Sequence, residues 1–272
     1  MNPEHHQPDS ASSSGTVPLW PVMLCLLGNF RLLVAGELIP IHPGGKSEAL
    51  SSLLALQAGR RVPRERLVLT LWPTRDPALG LRSLNTLVYN MHKLLGPALN
   101  GAAPVLHEEG YYRLNSEAGI GIDVTQFDHY VACGDRHNRD GNTVGALDAY
   151  TRAAALYRGD LCFAADAHTL MERERLRARY FTLLAQLGEV HYQAGDYTTA
   201  LEYLWRLLVR DPCREDAHRL VMRCYVRRGG RAAALHHYQV CTDVLRTEFD
   251  AVPEAETVAL FDRIRHEPDE LG

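Results

Sequence analysis

The chain has 272 residues, and because one domain usually takes roughly 100–200 residues, two domains are expected. It is 46% hydrophobic and 23% charged, which is ordinary for a globular protein in water. The formal net charge of −4 argues against a strongly basic protein that coats nucleic acid.

The N-terminal segment is predicted to carry no membrane span and no secretion signal. The apolar stretch at Val17–Phe30 contains two prolines and is shorter than the ~20 residues that a spanning helix needs. Residues 1–16 lack Lys and Arg, whereas a signal peptide begins with a basic region. This segment is predicted to be a disordered tail, in which His5 and His6 would be weak metal ligands. We therefore expect a cytoplasmic protein with no membrane partner.

Charge and pattern divide the rest into predicted domains at residues 17–116 and 117–272. Residues 17–115 hold 10 basic and 6 acidic side chains, whereas residues 116–272 hold 19 basic and 25 acidic ones. A positive first domain favours a polyanionic partner for that domain alone, although an excess of this size also arises by chance.

The first domain is predicted to alternate short strands with helices. Turn signals separate three strands, at Val22–Leu27, Phe30–Ala35 and Leu38–Ile41. Helical periodicity then predicts helices at Ser47–Ala58, Arg64–Leu71 and Gly80–Leu95. A hairpin follows, with strands at Val105–His107 and Tyr111–Leu114. Because Tyr111 and Tyr112 point to opposite faces, Tyr112 is predicted to be core and Tyr111 to be free.

The third helix has two distinct faces. One holds apolar residues: Leu84, Leu87, Val88, Met91, Leu94 and Leu95. The other holds only polar, basic or aromatic residues, without an acid: Arg82, Asn85, Thr86, Tyr89 and Lys93. Arg can bind a guanine edge, Asn an adenine edge, and Thr a thymine methyl group, while Tyr and Lys can reach phosphates. The face is typical of a helix in the major groove of DNA; the alternative is an exposed helix that lacks acids by chance.

The second domain contains a 34-residue repeat. The spacing 7, 5, 4 recurs at Gly188, Gly195, Ala200 and Leu204, again at Met222, Gly229, Ala234 and Tyr238, and earlier at Gly134, Gly141, Ala146 and Tyr150. Thirty-four residues is the tetratricopeptide period, in which helix pairs bury their faces by stacking. The alternating charges from Glu172 to Arg179 are interpreted as a solvated, self-paired helix face. Trp72 and Trp205 lie in apolar patterns and are predicted to be core.

No pattern of catalytic chemistry is found. Metalloprotease, hydrolase and nucleotide-binding motifs are absent, and the six cysteines include no C-x-x-C pair. Asp128-His129 and His236-His237 are interpreted as surface or partly packed residues. We predict no catalytic residue, metal site, disulfide or cofactor, and an enzyme is the weakest hypothesis.

Strands, two helices, an amphipathic helix and a hairpin follow one another in the order of a winged helix-turn-helix. Segments 26–28, 64–67, 71–72, 82–84 and 110–114 resemble the OmpR/PhoB-type DNA-binding domain of the Streptomyces antibiotic regulatory proteins (SARPs). Segments 123–127, 154–161 and 212–215 resemble the bacterial transcriptional activator domain that follows it in that family. The resemblance covers about residues 22–266. It departs from the family at Asn90-Met91-His92, where the usual sequence is Arg-Leu-Arg, and after the Gly-rich turn, where only Lys46 is basic.

The predicted fold class is mainly α: an N-terminal α+β winged helix-turn-helix, then an all-α tetratricopeptide-like repeat domain. The first hypothesis for function is a sequence-specific transcriptional activator that binds double-stranded promoter DNA. Arg82, Asn85, Thr86 and Tyr89 would contact bases, and the phosphates would be held by Arg64, Lys93, Arg113 and Tyr111. The resemblance implies protomers side by side on direct repeats and contact with RNA polymerase. The alternative is a protein-interaction or small-molecule-sensing repeat module whose winged helix has degenerated.

Overall fold

The computed structural model describes residues 20–163 and 166–266. The predicted tail at residues 1–16, including His5 and His6, lies outside the described residues. The predicted fold class is confirmed, because a small α+β region comes first and a stack of helices follows it. None of the helices in the described ranges is long and apolar enough to cross a membrane.

The first part of the described chain contains a four-stranded sheet. Its strands are β1 (Val22–Cys25), β2 (Arg31–Val34), β3 (Glu37–Ile39) and β7 (Ile120–Ile122), in the order β3-β2-β1-β7. The first three were expected and pair antiparallel, with Val22 opposite Val34. The three residues of β7 are too few for a sequence pattern, and they pair in parallel with β1. The sheet thus includes residues after 116, where the domain boundary remains a prediction.

Three helices and a hairpin complete the first part. The helices are α1 (Lys46–Leu56), α2 (Arg64–Leu71) and α3 (Pro77–Leu95). The hairpin strands, β5 (Val105–Glu108) and β6 (Tyr111–Leu114), form a second sheet with the two-residue strand β4 (Val62–Pro63) in the order β4-β6-β5. Helix α3 begins three residues before the predicted start, since the Asp76 side chain accepts hydrogen bonds from the N–H groups of Ala78 and Leu79.

The second part is built from antiparallel helix pairs. They are α4 (Asp123–Arg139) with α5 (Thr143–Leu156), α6 (Ala167–Gln193) with α7 (Tyr197–Leu208), and α8 (Glu215–Arg227) with α9 (Arg231–Phe249), followed by α10 (Ala255–His266). The predicted repeat positions explain the pairing. Gly141, Gly195 and Gly229 take positive φ angles in the turns between partners. At Gly134, a Cβ atom would lie 2.3 Å from the ring of Tyr150, so the two helices approach closely only because this residue is glycine.

Some predicted side-chain positions need correction. Trp205 was expected in the core, but 40% of its surface is exposed. Its ring lies nearly perpendicular to the ring of His237, with the two centres 5.3 Å apart. His237 was expected at the surface or partly packed, and it is buried. Trp72 is half-buried against the core, and Tyr112 is buried as predicted.

The predicted self-paired face of α6 is only partly local. Arg175 pairs with Glu172 on its own helix, at 2.7 Å. It also pairs with Asp128 of α4, at 2.7 Å, and Arg179 reaches the same carboxylate at 3.3 Å. These arginines therefore connect two helix pairs as well as facing water.

The two parts are joined by backbone hydrogen bonds. Gly28 N–H donates to the carbonyl of Asp160 at 3.0 Å, and Cys162 N–H donates to the carbonyl of Leu26 at 2.9 Å. At Gly159, a Cβ atom would lie 3.1 Å from Cα of Gly28. Segment 26–28 and the end of segment 154–161, which separately carry the family resemblance, thus meet as two short pieces of chain, with a β-bridge between Leu27 and Leu161.

Candidate DNA-binding surface

Helix α3 is held against α2 by a close helix crossing. At Gly80, a Cβ atom would lie 2.4 Å from Cγ1 of Val68, so a larger residue would push the helices apart. Leu84, Met91 and Leu95 of α3 are buried in the core. This packing fixes the rotation of the helix and thereby turns its polar face outward.

The polar face of α3 is exposed along its length. Side chains of all five predicted residues, Arg82, Asn85, Thr86, Tyr89 and Lys93, are exposed, and Tyr89 retains 67% of its surface. The hydroxyl of Thr86 donates to the carbonyl of Arg82 at 3.0 Å, which leaves its methyl group for an apolar contact. Leu94, predicted on the apolar face, is also exposed.

The hairpin β5–β6 forms a wing beside α3. Glu109 and Gly110 both have positive φ, as the two central residues of a tight hairpin turn require. The carbonyl of Gly110 accepts a hydrogen bond from the N–H of Arg64 at 2.9 Å, which attaches the wing tip to the first residue of α2. Tyr111 is exposed on this wing.

A hydrogen bond joins the wing to the centre of α3. The hydroxyl of buried Tyr112 donates to Oδ1 of Asn85 at 3.0 Å. Burial raises the pKa of Tyr112, which keeps the phenol protonated and able to donate. Since one lone pair of Oδ1 is occupied, the Asn85 amide group is held in one orientation with its NH₂ group available. No local sequence pattern predicts this contact, because the two residues are 27 positions apart.

The predicted phosphate contacts differ in how free they are. Arg64 Nε lies 2.8 Å from Oε1 of Glu65, which raises the pKa of the guanidinium, and both side chains are exposed. Arg113 is half-buried and lies 3.9 Å from Glu117. Within the described part of the chain, Lys93 and Arg82 form no ion pair. To contact a phosphate, Arg64 and Arg113 must therefore either keep their acidic partner as well or give it up for the phosphate.

The structure adds Arg75 to the surface. This exposed side chain, in the loop before α3, donates from Nη1 to Oγ of Ser83 at 3.0 Å. It thus lies at the N-terminal end of the polar face. Helical periodicity could not find it, since Arg75 precedes the helix cap at Asp76.

No cluster of metal-binding side chains lies near this surface. Among the described residues, no group of three or more His, Cys, Asp or Glu side chains is placed to hold a metal ion. The six cysteines are unpaired, and Cys25, Cys224 and Cys241 are buried. The absence of catalysis and of a cofactor remains a prediction.

The helical part identifies the family. Residues 122–265 match the family model of the bacterial transcriptional activator domain, which covers more than half of the chain. The chain belongs to this family. With the winged helix in front of it, this member of the family is a SARP-like transcriptional regulator.

Relatives of this family member include several regulatory proteins. It is 29% identical to the regulatory protein DnrI of Streptomyces peucetius, over 83% of this chain and 88% of DnrI. It is 24% identical to the regulatory protein AfsR of Streptomyces griseus, over 91% of this chain. The match spans only 25% of AfsR. The structure resembles that of Mycobacterium tuberculosis EmbR in complex with a low-affinity phosphopeptide, with a TM-score of 0.75 and 20% sequence identity. The match covers 90% of this chain and 65% of the EmbR chain, and it shows that the two share a fold.

Proposed function

We propose that this regulator binds promoter DNA through α3 and its wing and activates transcription in the cytoplasm. The observation that supports this most is the exposed, acid-free polar face of a helix that the core holds at a fixed rotation. A helix of this kind fits the major groove, where Arg82 and Asn85 present the groups that read guanine and adenine edges.

Phosphate contacts at both ends of the helix would position it on the duplex. Arg75, just before the N-terminus of α3, and Lys93, in its last turn, lie at the two ends of the polar face. Tyr111, Arg64 and Arg113 extend the surface onto the wing and the start of α2. Such contacts set the register of a protein on DNA without reading the sequence.

Protomers would lie side by side on direct repeats, and the helical domain would contact RNA polymerase, as the resemblance implies. Binding to repeats on one face of the duplex requires a spacing near one helical turn, about 10–11 base pairs. The close backbone junction between the two parts would hold each helical domain in one orientation over the DNA.

In vitro selection tests the proposal. The full chain is incubated with a random library of double-stranded DNA, and the retained sequences are determined. We expect enrichment of one short motif, repeated at one-turn spacing, and loss of that enrichment with Arg82→Glu but not with Arg136→Glu on the exposed end of α4. A folded protein that enriches no sequence would refute the proposal and favour a winged helix that has lost DNA binding.

A further inference from the structure

A groove of about 640 Å³ lies in the helical domain, away from α3. It runs between the C-terminal end of α5, the middle of α6 and the outer face of α7. Its volume is within the range of about 300–1,000 Å³ that is typical of small-molecule sites. The DNA-binding surface does not use its lining, whereas Arg158 of the lining also lies at the junction between the two parts, beside Gly28.

Two parallel rows of side chains, on the last turns of α7 and the two residues just after it, line this groove. Trp205 and Val209, one turn apart, form an apolar row, and 40% and 81% of their surfaces are exposed. Arg206 and Arg210, shifted by one position, form a cationic row. Residues four apart lie on the same helix face, so an apolar strip runs alongside a positive one.

Arginines concentrate positive charge here, although the domain as a whole is negative. Arg158, from the segment after α5, joins Arg206 and Arg210, and Glu202 is the one acid in the lining. None of the three arginines forms an ion pair with an acid among the residues that the structure describes. Most arginines of α6, in contrast, form ion pairs with Asp128, Glu172 or Glu174.

Aromatic rings hold two of these arginines in place. The rings of Tyr157 and Tyr180 stack at 4.0 Å and form part of the lining. Arg206 donates to the hydroxyl of Tyr180 at 2.8 Å, and the guanidinium carbon of Arg210 lies 5.9 Å from the centre of the same ring. The cationic row is therefore oriented before any ligand arrives, which lowers the entropic cost of binding.

We infer that this groove binds a nucleotide, with its phosphates on Arg158, Arg206 and Arg210 and its base against Trp205 and Val209. Arginine is suited to phosphate because its planar fork donates two parallel hydrogen bonds. An exposed indole offers a stacking surface for a base. A ligand that carries only one of these two groups would use only one of the rows.

Calorimetric titration of the full chain tests the inference with ATP and GTP as probes. We expect at least one nucleotide to bind at micromolar to submillimolar concentration, more tightly than pyrophosphate, which lacks the base, and adenosine, which lacks the phosphates. The double variant R206Q/R210Q should weaken binding at least tenfold, while the control R136Q/R139Q on exposed α4 positions should leave it unchanged.

Trp205→Leu separates base stacking from anion binding. We expect it to weaken nucleotide binding and to leave pyrophosphate binding unchanged. If the loss of the contact with His237 unfolds this variant, the arginine pair alone decides, because both side chains are exposed.

Several results would overturn the inference. The first is that neither nucleotide binds at millimolar concentration. The second is that R206Q/R210Q binds nucleotide as tightly as the wild type, and the third is that ATP and pyrophosphate bind with equal affinity. If R206Q/R210Q weakens binding to DNA and not to nucleotide, the groove is a second DNA contact. If an acidic peptide binds there and nucleotides do not, the groove is a peptide site.

Discussion

The carboxylate of Asp123 accepts a hydrogen bond from the backbone N–H of Leu26 at 2.8 Å, which joins the first helix of the helical domain to the end of β1. The same carboxylate accepts the N–H groups of Leu27, at 2.9 Å, and Val124, at 2.8 Å. Only 1% of Asp123 is exposed, and burial raises its pKa to about 6, against the opposing effect of these donors. Asp123 thereby satisfies backbone groups that would otherwise be buried without a partner.

Asp123→Asn should destabilise the protein strongly. The amide NH₂ group would face N–H donors in place of an acceptor oxygen, and an unsatisfied buried donor costs roughly 1–3 kcal/mol. We expect the free energy of unfolding in urea to fall by about 2–4 kcal/mol. The control is Asp128→Asn, which removes partly exposed ion pairs and should cost less than about 1 kcal/mol. Equal losses for the two variants would show that the junction does not depend on Asp123.

Gly134→Ala should test the close approach within the first helix pair. The new methyl group would lie 2.3 Å from Cε1 of Tyr150, whose hydroxyl is held by Asp135 at 2.8 Å. Overpacking of this kind costs about 1–3 kcal/mol, measured by thermal unfolding. Asn138→Ala, at an exposed position of the same helix, is the control, since its methyl group meets no neighbouring helix, so we expect no loss. A neutral Gly134→Ala would mean that the helices tolerate a wider separation.

The repeat and the winged helix differ in how much of them could be predicted. Positions such as Gly134 and Tyr150 carry a local pattern, and that pattern predicted the helix pairs. The strand Ile120–Ile122 pairs with β1, and the carboxylate of Asp123 accepts a hydrogen bond from Leu26. Both partners lie almost 100 residues earlier in the chain, and no local pattern encodes such contacts. On the candidate DNA surface, the exposed face of α3 followed from helical periodicity. The bond from Tyr112 to Asn85 did not, since it depends on where the wing docks.

Tyr112→Phe should loosen DNA recognition without unfolding the domain. The ring stays buried, whereas Asn85 loses the donor that orients its amide group. We expect stability to fall by about 1 kcal/mol, and affinity for the selected DNA motif to fall about three- to tenfold, measured by fluorescence anisotropy. Tyr150→Phe, which loses a buried hydroxyl's hydrogen bond to Asp135 in the helical domain, is the control and should leave DNA affinity unchanged. If the Tyr112→Phe variant discriminates between adenine and other bases as well as the wild type does, Asn85 does not read DNA in this orientation.

A buried histidine pair should make stability depend on pH. Nε2 of His218 lies 2.8 Å from the carbonyl oxygen of Pro212, which can only accept, so Nδ1 of His218 accepts from Nε2 of His237 at 2.9 Å. Burial, together with the neighbouring His218 and His236, lowers the pKa of His237 to about 4. The folded state therefore holds His237 neutral at a pH where the unfolded state protonates it.

The sign of this dependence follows from the lowered pKa. Neutral His237 contributes its full share of the free energy of unfolding above about pH 6.5. This contribution is lost as the pH falls toward 4, by up to about 3 kcal/mol. We expect the unfolding free energy of His237→Gln to fall less steeply than that of the wild type over this range, in urea titrations at successive pH values. His129→Gln, at an exposed position of α4, should follow the wild-type curve. Parallel curves for the wild type and His237→Gln would contradict a neutral buried pair.

The salt dependence of DNA affinity tests the DNA-binding surface most directly. In the full chain, the logarithm of affinity for the selected motif should fall linearly with the logarithm of salt concentration, with each phosphate contact adding about −0.9 to the slope. Lys93→Gln should weaken binding to all sequences and reduce the slope by about one contact. Arg82→Gln should weaken the selected motif far more than random DNA. A flat salt response, or equal loss on both DNAs with Arg82→Gln, would contradict a helix that reads the major groove.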